Sequence, residues 1–362
     1  MSSYPEAQAR LGAVRPEPCF RCRQHGAVAV FVALMLAVLT GLCALAIDIG
    51  YGFMVRNELQ NAADAAALSG AGHLYRSNSA PDWSGATLAA TDTIRLNRST
   101  HANLQDGSVQ YGYWNLGSMS GELQTLPATP GSGEVAAVMV TVGREVGQNG
   151  GPVALFFASI LGIRSIPVRA SAVAAVAAPG IVGSGVLFPL AVSACMYRTY
   201  WDAAANPPSP KVDPATGKPY VFRIGPDQSY GACASGSWSS FGIDANDVAT
   251  MGALIANKNP ALLKSGDAIW MQPAVGGSIY ADVDACSARG TKVCETVIVP
   301  VVENVGSHTM DAIKAFACLH IELASAGSSS YVQASMKVGC LAPNSGGIGS
   351  NFGALASPRL VR

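Results

Sequence analysis

Charged side chains are scarce in this chain, and neither sign is in excess. Asp, Glu, Lys and Arg make up 13% of the 362 residues, against roughly a quarter in an average soluble protein. The formal net charge is zero. A protein that binds nucleic acid needs surplus Lys and Arg to neutralise phosphates. The composition therefore argues against nucleic acid as a partner.

Motifs of common enzymes are also missing from the sequence. No G-x-S-x-G, Walker A, G-x-G-x-x-G or H-E-x-x-H string occurs. Cys19 and Cys22 form a C-x-x-C pair, but structural zinc usually takes four ligands, and only His25 lies nearby. We interpret the pair as two reduced thiols or an acylation site. We expect no catalytic residue, no cofactor-binding residue, no cofactor and no enzymatic activity.

One long hydrophobic run stands out near the start of the chain. Residues 27–47 contain no charged side chain. A helix of this length crosses a hydrocarbon core of roughly 30 Å. A buried helix of a soluble protein would normally show a polar stripe, and none is visible. The sequence predicts a transmembrane helix over 26–48, with Asp48 at its exit.

The charges around this run predict its orientation. Arg10, Arg15, Arg21 and Arg23 precede it, whereas no basic excess follows it. Lys and Arg collect on the cytoplasmic side of a membrane. We therefore expect a cytoplasmic tail over residues 1–25 and, in a bacterium, an inner-membrane anchor with the rest of the chain periplasmic or at the cell surface.

Six cysteines follow the run, an even number that suits up to three disulfides in an oxidising compartment. Cys286 and Cys294 flank a turn centred on Gly290. A hairpin centred on Ser329 would place Cys318 directly opposite Cys340, within disulfide range. Cys195 and Cys233 then pair by elimination. Connectivity cannot be fixed from sequence, and six buried reduced thiols are the alternative.

Periodicity along the exported part predicts an α+β fold of antiparallel, β-rich modules. Apolar residues at helical spacing continue the membrane helix to Gly70, and a second helix is expected over 83–97. Strand-like segments and one short helix after Pro152 complete a module over 49–178. A β-rich module is expected over 181–343, with helical segments near 244–255 and 260–263. The Gly/Ser-rich residues 344–362 are predicted to form a flexible tail.

The alanine-rich segment over 60–71 has two open interpretations. Small side chains let helices approach closely, so this face could bring several subunits together. Asp64 within it is costly if buried alone and should meet solvent or a basic partner. Alternatively, the segment is an exposed stalk in which alanine merely favours the helix.

The strings HGAVAVFVALML and LAIDIGYGFMVRNELQNAADAAALSGA resemble the N-terminal signature of the TadE/TadG-like proteins of the Flp (tight adherence) pilus system. FFASILGIRSIPVRASAVAAV resembles the end of their pilin-like module, and the last module is similar to the C-terminal domain of TadG-like proteins. The resemblance implies a non-enzymatic, inner-membrane-anchored component of pilus assembly, or a minor pilin-like subunit. Partners would be the membrane and other pilus proteins. The implied assembly residues are Gly26, Asp48, Gln60, Asn61 and Asp64.

Two departures from such relatives have consequences. Relatives cut by a prepilin peptidase carry Glu five residues beyond the Gly, whereas Phe31 stands there. We therefore expect the anchor to persist, with Gly26 not processed. Other TadG-like proteins carry a D-x-S-x-S metal motif, but here Asp82-Trp83-Ser84 is followed by Ala86, so no metal site is assigned.

A membrane-tethered periplasmic enzyme or ligand-binding protein is the alternative function. It depends on the last module, where His308 lies near Glu303 and Asp311 in sequence. An imidazole between carboxylates can serve general acid–base chemistry. The Gly-Ser-His-Thr context of His308 is instead typical of an exposed loop.

Overall fold

The computed structural model describes residues 25–75, 80–117, 121–131, 133–205, 208–273, 275–327 and 329–362. Within this part of the chain, 25–54 and 154–166 form one compact unit, while 55–153 and 167–362 form a second. Nearly all of the expected cytoplasmic tail, including Cys19 and Cys22, lies outside the described residues. A long apolar helix followed by an antiparallel, β-rich region confirms the predicted α+β class.

Five α-helices and one 3-10 turn occur among the described residues: α1 (His25–His73), α2 (Trp83–Leu96), α3 (Ala194–Tyr200), α4 (Val248–Asn257), α5 (Gly277–Cys286) and the turn at Ala158–Leu161. Helix α1 has 49 residues, which corresponds to about 70 Å. Helix α2 begins where Asp82 accepts a hydrogen bond from the Gly85 N–H at 2.9 Å. This bond, with one from the Ser84 hydroxyl, lowers the pKa of Asp82.

Twelve strands form the two main sheets: β1 (Ser108–Asn115), β2 (Gln124–Thr125), β3 (Glu134–Arg144), β4 (Val168–Ala175), β5 (Leu190–Ser193), β6 (Val221–Tyr230), β7 (Cys233–Phe241), β8 (Ala268–Gln272), β9 (Thr296–Val302), β10 (Thr309–Ser325), β11 (Tyr331–Lys337) and β12 (Arg359–Leu360). Shorter strands lie at Arg98–Ser99, Ala102–Asn103, Val153–Ala154, Ser165–Ile166, Ile181–Val182, Trp201–Asp202, Ser209–Pro210, Leu263–Lys264, Cys340–Ala342, Ser345–Gly346 and Ala354–Ala356.

The first sheet has the order β12-β4-β3-β1-β2 and is antiparallel throughout. Alternation along β3 gives it two faces. Val138, Val140 and Val142 are fully buried on one face. On the other face Ala137 packs with Trp114 in a separate small core. The sheet is thus apolar on both faces, as a layer covered on each side must be.

The second sheet has the order β5-β9-β10-β8-β7-β6-β11, with further pairings between β5 and β7 and between β10 and β11. Only the β5–β9 pair is parallel among its described pairings. Strand β10 has 17 residues, and it pairs in succession with β8, β9 and β11. These extra pairings close the sheet around a core that includes Trp238 and Phe316. The Trp238 indole N–H donates to the Tyr280 hydroxyl at 3.0 Å, which joins α5 to β7.

The second half of α1 packs on the first sheet through its smallest side chains. Ala62, Ala63, Ala66 and Ala67 are fully buried. At Gly70 a Cβ would lie 3.1 Å from Val138 Cγ1 and 3.0 Å from the Ala86 carbonyl oxygen. Glycine therefore permits the close approach of α1 to β3 and α2.

The expected flexible tail over 344–362 is corrected by the structure. Ser345–Gly346, Ala354–Ala356 and β12 are paired strands in it. The Val173 N–H donates to the Arg362 carbonyl at 2.8 Å, and the Ala356 N–H donates to the Ala177 carbonyl at 2.7 Å. Glycine and serine predicted mobility, but the backbone groups here complete a sheet edge, and that interaction depends little on side chains.

Two predicted helices are also wrong. The segment after Pro152 forms a short strand and the 3-10 turn at Ala158–Leu161 instead of a helix. Residues 260–263 lead directly into the strand Leu263–Lys264. The long strands β6 and β7 were not predicted, because Gly and Ser interrupt their apolar alternation. Helix α4 overlaps the segment expected to be helical near 244–255 and ends two residues beyond it.

Candidate functional site

The first half of α1 has an almost wholly exposed apolar surface. Residues 28–47 are all exposed apart from half-buried Ala44. Phe31, for example, is 68% exposed. This helix is long and apolar enough to cross a membrane by length and composition. Such a surface is stable next to hydrocarbon and costly in water.

Asp48 is only 2% exposed and interrupts this apolar surface, which continues at Ile49, Phe53 and Met54. Its carboxylate accepts hydrogen bonds from three consecutive backbone N–H groups, those of Phe156 at 2.8 Å, Phe157 at 3.0 Å and Ala158 at 2.6 Å. These N–H groups begin the 3-10 turn, and Phe157 provides no side-chain cap for it. Asp48 therefore caps the turn from a distant part of the chain.

Residues 155–163, the apolar loop, are the least expected part of this site. Ile160 and Leu161 are 84% and 79% exposed, and Phe156 and Ile163 are also largely exposed. Gly162 ends the 3-10 turn with φ 86°, a left-handed conformation that glycine adopts without strain. The only sequence signal was the apolar segment 153–163 after Pro152, which only Ser159 and Gly162 interrupt. Its cap could not be found, because local pattern does not reveal a distant acceptor.

The apolar loop runs along α1 within this first unit. Near its base, Ile166 Cδ1 lies 3.3 Å from the position of a Cβ on Gly52. Phe156 contacts Tyr51 edge to face, with ring centroids 5.2 Å apart. The start of the 3-10 turn binds Asp48, about one helical turn closer to the exposed apolar half. The loop therefore extends from its base toward that half.

Gln60 and Asp64 form a pair on α1. The Gln60 amide donates to the Asp64 carboxylate at 2.7 Å and to the Ser171 carbonyl on β4 at 3.2 Å. Asp64 thus meets an amide rather than the expected basic partner or solvent alone. Asn61 is exposed. Gly26 lies within α1, but its surroundings are outside the described residues.

Burial of the alanine face contradicts both interpretations of the 60–71 segment. The chain's own sheet and α2 cover these alanines, so they do not form an exposed stalk. For the same reason they do not present a free surface to a second subunit. Within the exposed part of α1, the surface available to other helices is that of residues 28–47.

All six cysteines that follow α1 are disulfide-bonded: Cys195–Cys233, Cys286–Cys294 and Cys318–Cys340. The pairing agrees with the sequence prediction, but the predicted register of the last pair does not. Cys318 lies opposite Lys337 across β10 and β11. Cys340 follows β11 on a separate short strand, with a Cα–Cα distance of 5.7 Å to Cys318.

His308 meets a different carboxylate from the two suggested by sequence. Its Nδ1 lies 3.3 Å from Asp244 Oδ1. Glu303 instead pairs with Arg198 at 2.6 Å, and Asp311 accepts the Asn304 N–H. A hydrogen bond from Gln272, then one from His308, lowers the pKa of Asp244.

His308 and Asp244 both have largely accessible side chains, and in the described part of the chain no cluster of three or more His, Cys, Asp or Glu could hold a metal ion. The geometry resembles a surface ion pair more than an enclosed reaction site.

Together the helix, the disulfides and the sheets define a protein with one long apolar helix and a cross-linked β-rich region. Residues 26–73 match the family described as "Putative Flp pilus-assembly TadE/G-like". Residues 60–174 match the family described as "Putative Tad-like Flp pilus-assembly". No curated protein and no solved structure matches the chain significantly.

Residues 26–174 are therefore similar to the TadE/G-like Flp pilus-assembly family and to its Tad-like domain. The two matches overlap in the second half of α1 and together end within β4. They contain the apolar helix, Asp48 and the apolar loop, whereas the seven-stranded sheet lies beyond them.

Proposed function

We propose that this protein is a non-enzymatic, membrane-anchored component of Flp/Tad-type pilus assembly. The observation that carries the proposal is the match over 26–73, which coincides with a helix that is exposed and apolar in its first half and packed on a sheet in its second. Partners of the family's kind, other assembly proteins or pilin-like subunits, would meet the helix along residues 28–47 or bind the β-rich region.

The proposed orientation has the N-terminus in the cytoplasm and the β-rich region outside. Arginines precede the apolar run in sequence, as the positive-inside rule requires. Three disulfides in the β-rich region support an oxidising compartment, because cytosolic thiols are kept reduced. In a bacterium this is the inner membrane with an exported domain.

We further propose that the protein stays in the membrane as a scaffold. Withdrawal of 28–47 into a fibre would require neighbouring subunits to cover a surface that is exposed on nearly every side. Phe31 also replaces the Glu that processed relatives carry.

Three experiments test the proposal in the native host. Deleting the gene should abolish pili, and affinity purification of the full chain from membranes should recover other pilus-assembly proteins. Protease added to spheroplasts should degrade the β-rich region. The same protease added to unbroken cells should leave that region intact. Normal piliation, or a protein that fractionates as soluble, would contradict the assignment. A mature chain starting at Ala27 would contradict the retained anchor.

A further inference from the structure

We propose that the apolar loop, residues 155–163, inserts into the outer leaflet of the membrane that α1 crosses. This inference rests on the proposed anchoring of α1 and adds a second point of contact with lipid. The occupant of its exposed surface would be acyl chains.

The first argument is the composition of the loop surface. Ile160 and Leu161 are as exposed as any apolar side chains in the protein's membrane helix, and Phe156 and Ile163 flank them. Such a cluster marks an interaction surface. Arg164, also exposed, follows directly and can lie at headgroup level while the apolar side chains enter the leaflet.

The second argument is position along α1. Ile166, just beyond the loop, lies beside Gly52, whereas Phe156 near the start of the loop contacts Tyr51. The N–H groups of 156–158 bind Asp48, about one helical turn closer to the apolar half of α1. These contacts place the start of the loop beside the end of the exposed apolar half of α1.

The third argument is that the loop's backbone suits a medium with little water. Next to hydrocarbon an unpaired N–H is costly, so a loop whose side chains enter the leaflet needs acceptors for its backbone N–H groups. Internal acceptors exist for seven N–H groups, those of Leu155, Phe156, Phe157, Ala158, Ile160, Gly162 and Ile163. Three of them go to Asp48, so its carboxylate prepares the loop for insertion.

The experiment uses the full chain in nanodiscs of phosphatidylethanolamine and phosphatidylglycerol, with a benzophenone amino acid placed at one position at a time. Ile160 is the test position, Leu39 within α1 is the positive control, and Val293 in the Cys286–Cys294 loop is the negative control, since it is also 83% exposed. After irradiation, mass spectrometry identifies lipid adducts. We expect them at Ile160 and Leu39 and not at Val293.

The outcomes separate this inference from the proposed function. Lipid adducts at Leu39 with none at Ile160 would overturn the inference and leave the anchor intact. Adducts of Ile160 with another protein or a second copy would overturn it in the same way. Absence of lipid adducts at Leu39 would overturn the anchor itself, and the inference with it.

A second variant tests the role of Asp48. Asp48→Ala should reduce lipid adducts at Ile160 several-fold while adducts at Leu39 stay constant. Asp92→Ala, which removes an exposed carboxylate on α2, is the matched control. Undiminished adducts at Ile160 in Asp48→Ala would show that Asp48 does not position the loop.

Discussion

Single carboxylates illustrate how far sequence reasoning reaches at the scale of the residue. Asp48 was expected to mark the end of the membrane helix, and this stays a prediction, because exposed apolar side chains continue beyond it at Ile49, Phe53 and Met54. Its burial and its three N–H donors could not be predicted, because the donors are more than a hundred positions away along the chain. Asp64 shows the same limit, since its partner is the amide of Gln60 rather than a cation.

Replacing Asp48 should loosen the apolar loop. In Asp48→Ala three N–H groups lose their acceptor, so their hydrogen exchange should accelerate on the order of tenfold or more. Exchange at Phe156, Phe157 and Ala158 is measured by mass spectrometry on the protein in nanodiscs. Exchange in β3 should not change. Equal exchange in the variant and the native chain would mean that water replaces the carboxylate at no cost.

Asp284 should make the stability of the β-rich region depend on acid. A hydrogen bond from Arg289, with another from the Ala324 N–H, lowers its pKa in the folded state. A lowered pKa contributes stability that is fully present above the unfolded value of about 3.9 and lost as pH falls through the folded value. Urea unfolding should show Asp284→Asn less stable than the native chain at pH 6, with the difference vanishing under strong acid.

Asp282→Asn is the matched control for that titration, because Asp282 lies exposed on the same helix. It should change the unfolding midpoint little. If the difference in stability between Asp284→Asn and the native chain persisted unchanged under strong acid, the charge of Asp284 would not be its cause.

At the scale of the element, local pattern predicted the strands that alternate or contain β-branched residues. The strands β1, β3, β4, β9, β10 and β11 lie in the two modules that were predicted to be rich in strands. Strands β6 and β7 were not predicted, because contacts with neighbouring strands rather than local pattern stabilise them. At Gly236, for example, a Cβ would lie 2.3 Å from the Ala191 carbonyl oxygen, so the close approach of the neighbouring strand requires glycine. The alanines of α1 had the right period, but their partner could not be read from periodicity.

Enlarging the buried alanine face should destabilise the fold. Ala63 is fully buried, so Ala63→Leu forces side chains into a filled interface and should cost about 1–3 kcal/mol. Asn61→Leu adds an apolar side chain of the same size at an exposed position and should be nearly neutral. The free energy of unfolding is compared in detergent. A neutral Ala63→Leu would show that α1 does not pack on the sheet.

The three disulfides should differ in how much they stabilise the protein. Cys195–Cys233 closes a loop of 38 residues and Cys286–Cys294 one of 8. In the chain-entropy description the longer loop gains about 1 kcal/mol more. Paired serine variants should therefore lose more stability at Cys195–Cys233, as measured by thermal unfolding under non-reducing conditions. The reverse order would point to strain or residual structure in place of loop entropy.

At the scale of the whole molecule, the C-terminal segment 344–362 returns to the first sheet, where β12 pairs with β4. Sequence composition indicated two modules and a mobile end, and it could not indicate that β12 returns to β4. Val361 packs against the core of the first sheet beside Trp114. The Gly349 N–H donates to the Ala178 carbonyl at 2.9 Å, which holds the returning segment along its length.

Deleting residues 357–362 should weaken the first sheet. The variant loses the β12 hydrogen bonds and the packing of Val361, a combined cost of about 2 kcal/mol. Hydrogen exchange should rise in Val173, Ala174 and Ala175 more than in β9. A control variant replaces the same residues by an unrelated sequence of equal length. It separates the effect of losing the strand pairing from the effect of shortening the chain. Unchanged protection of β4 in the truncated protein would contradict the role of β12.

The return of β12 to β4 also sets an order of events during export. With the proposed orientation, β4 leaves the translocation channel well before β12, and the whole seven-stranded sheet must follow in between. Until β12 arrives, β4 presents an unpaired edge, and such edges readily accept strands from other chains. A delay in the translocation of residues 344–362 would therefore leave the edge of β4 open to aggregation, in the part of the protein that matches the family. Cells that make this protein would gain from a periplasmic chaperone that shields a strand edge until translocation is complete.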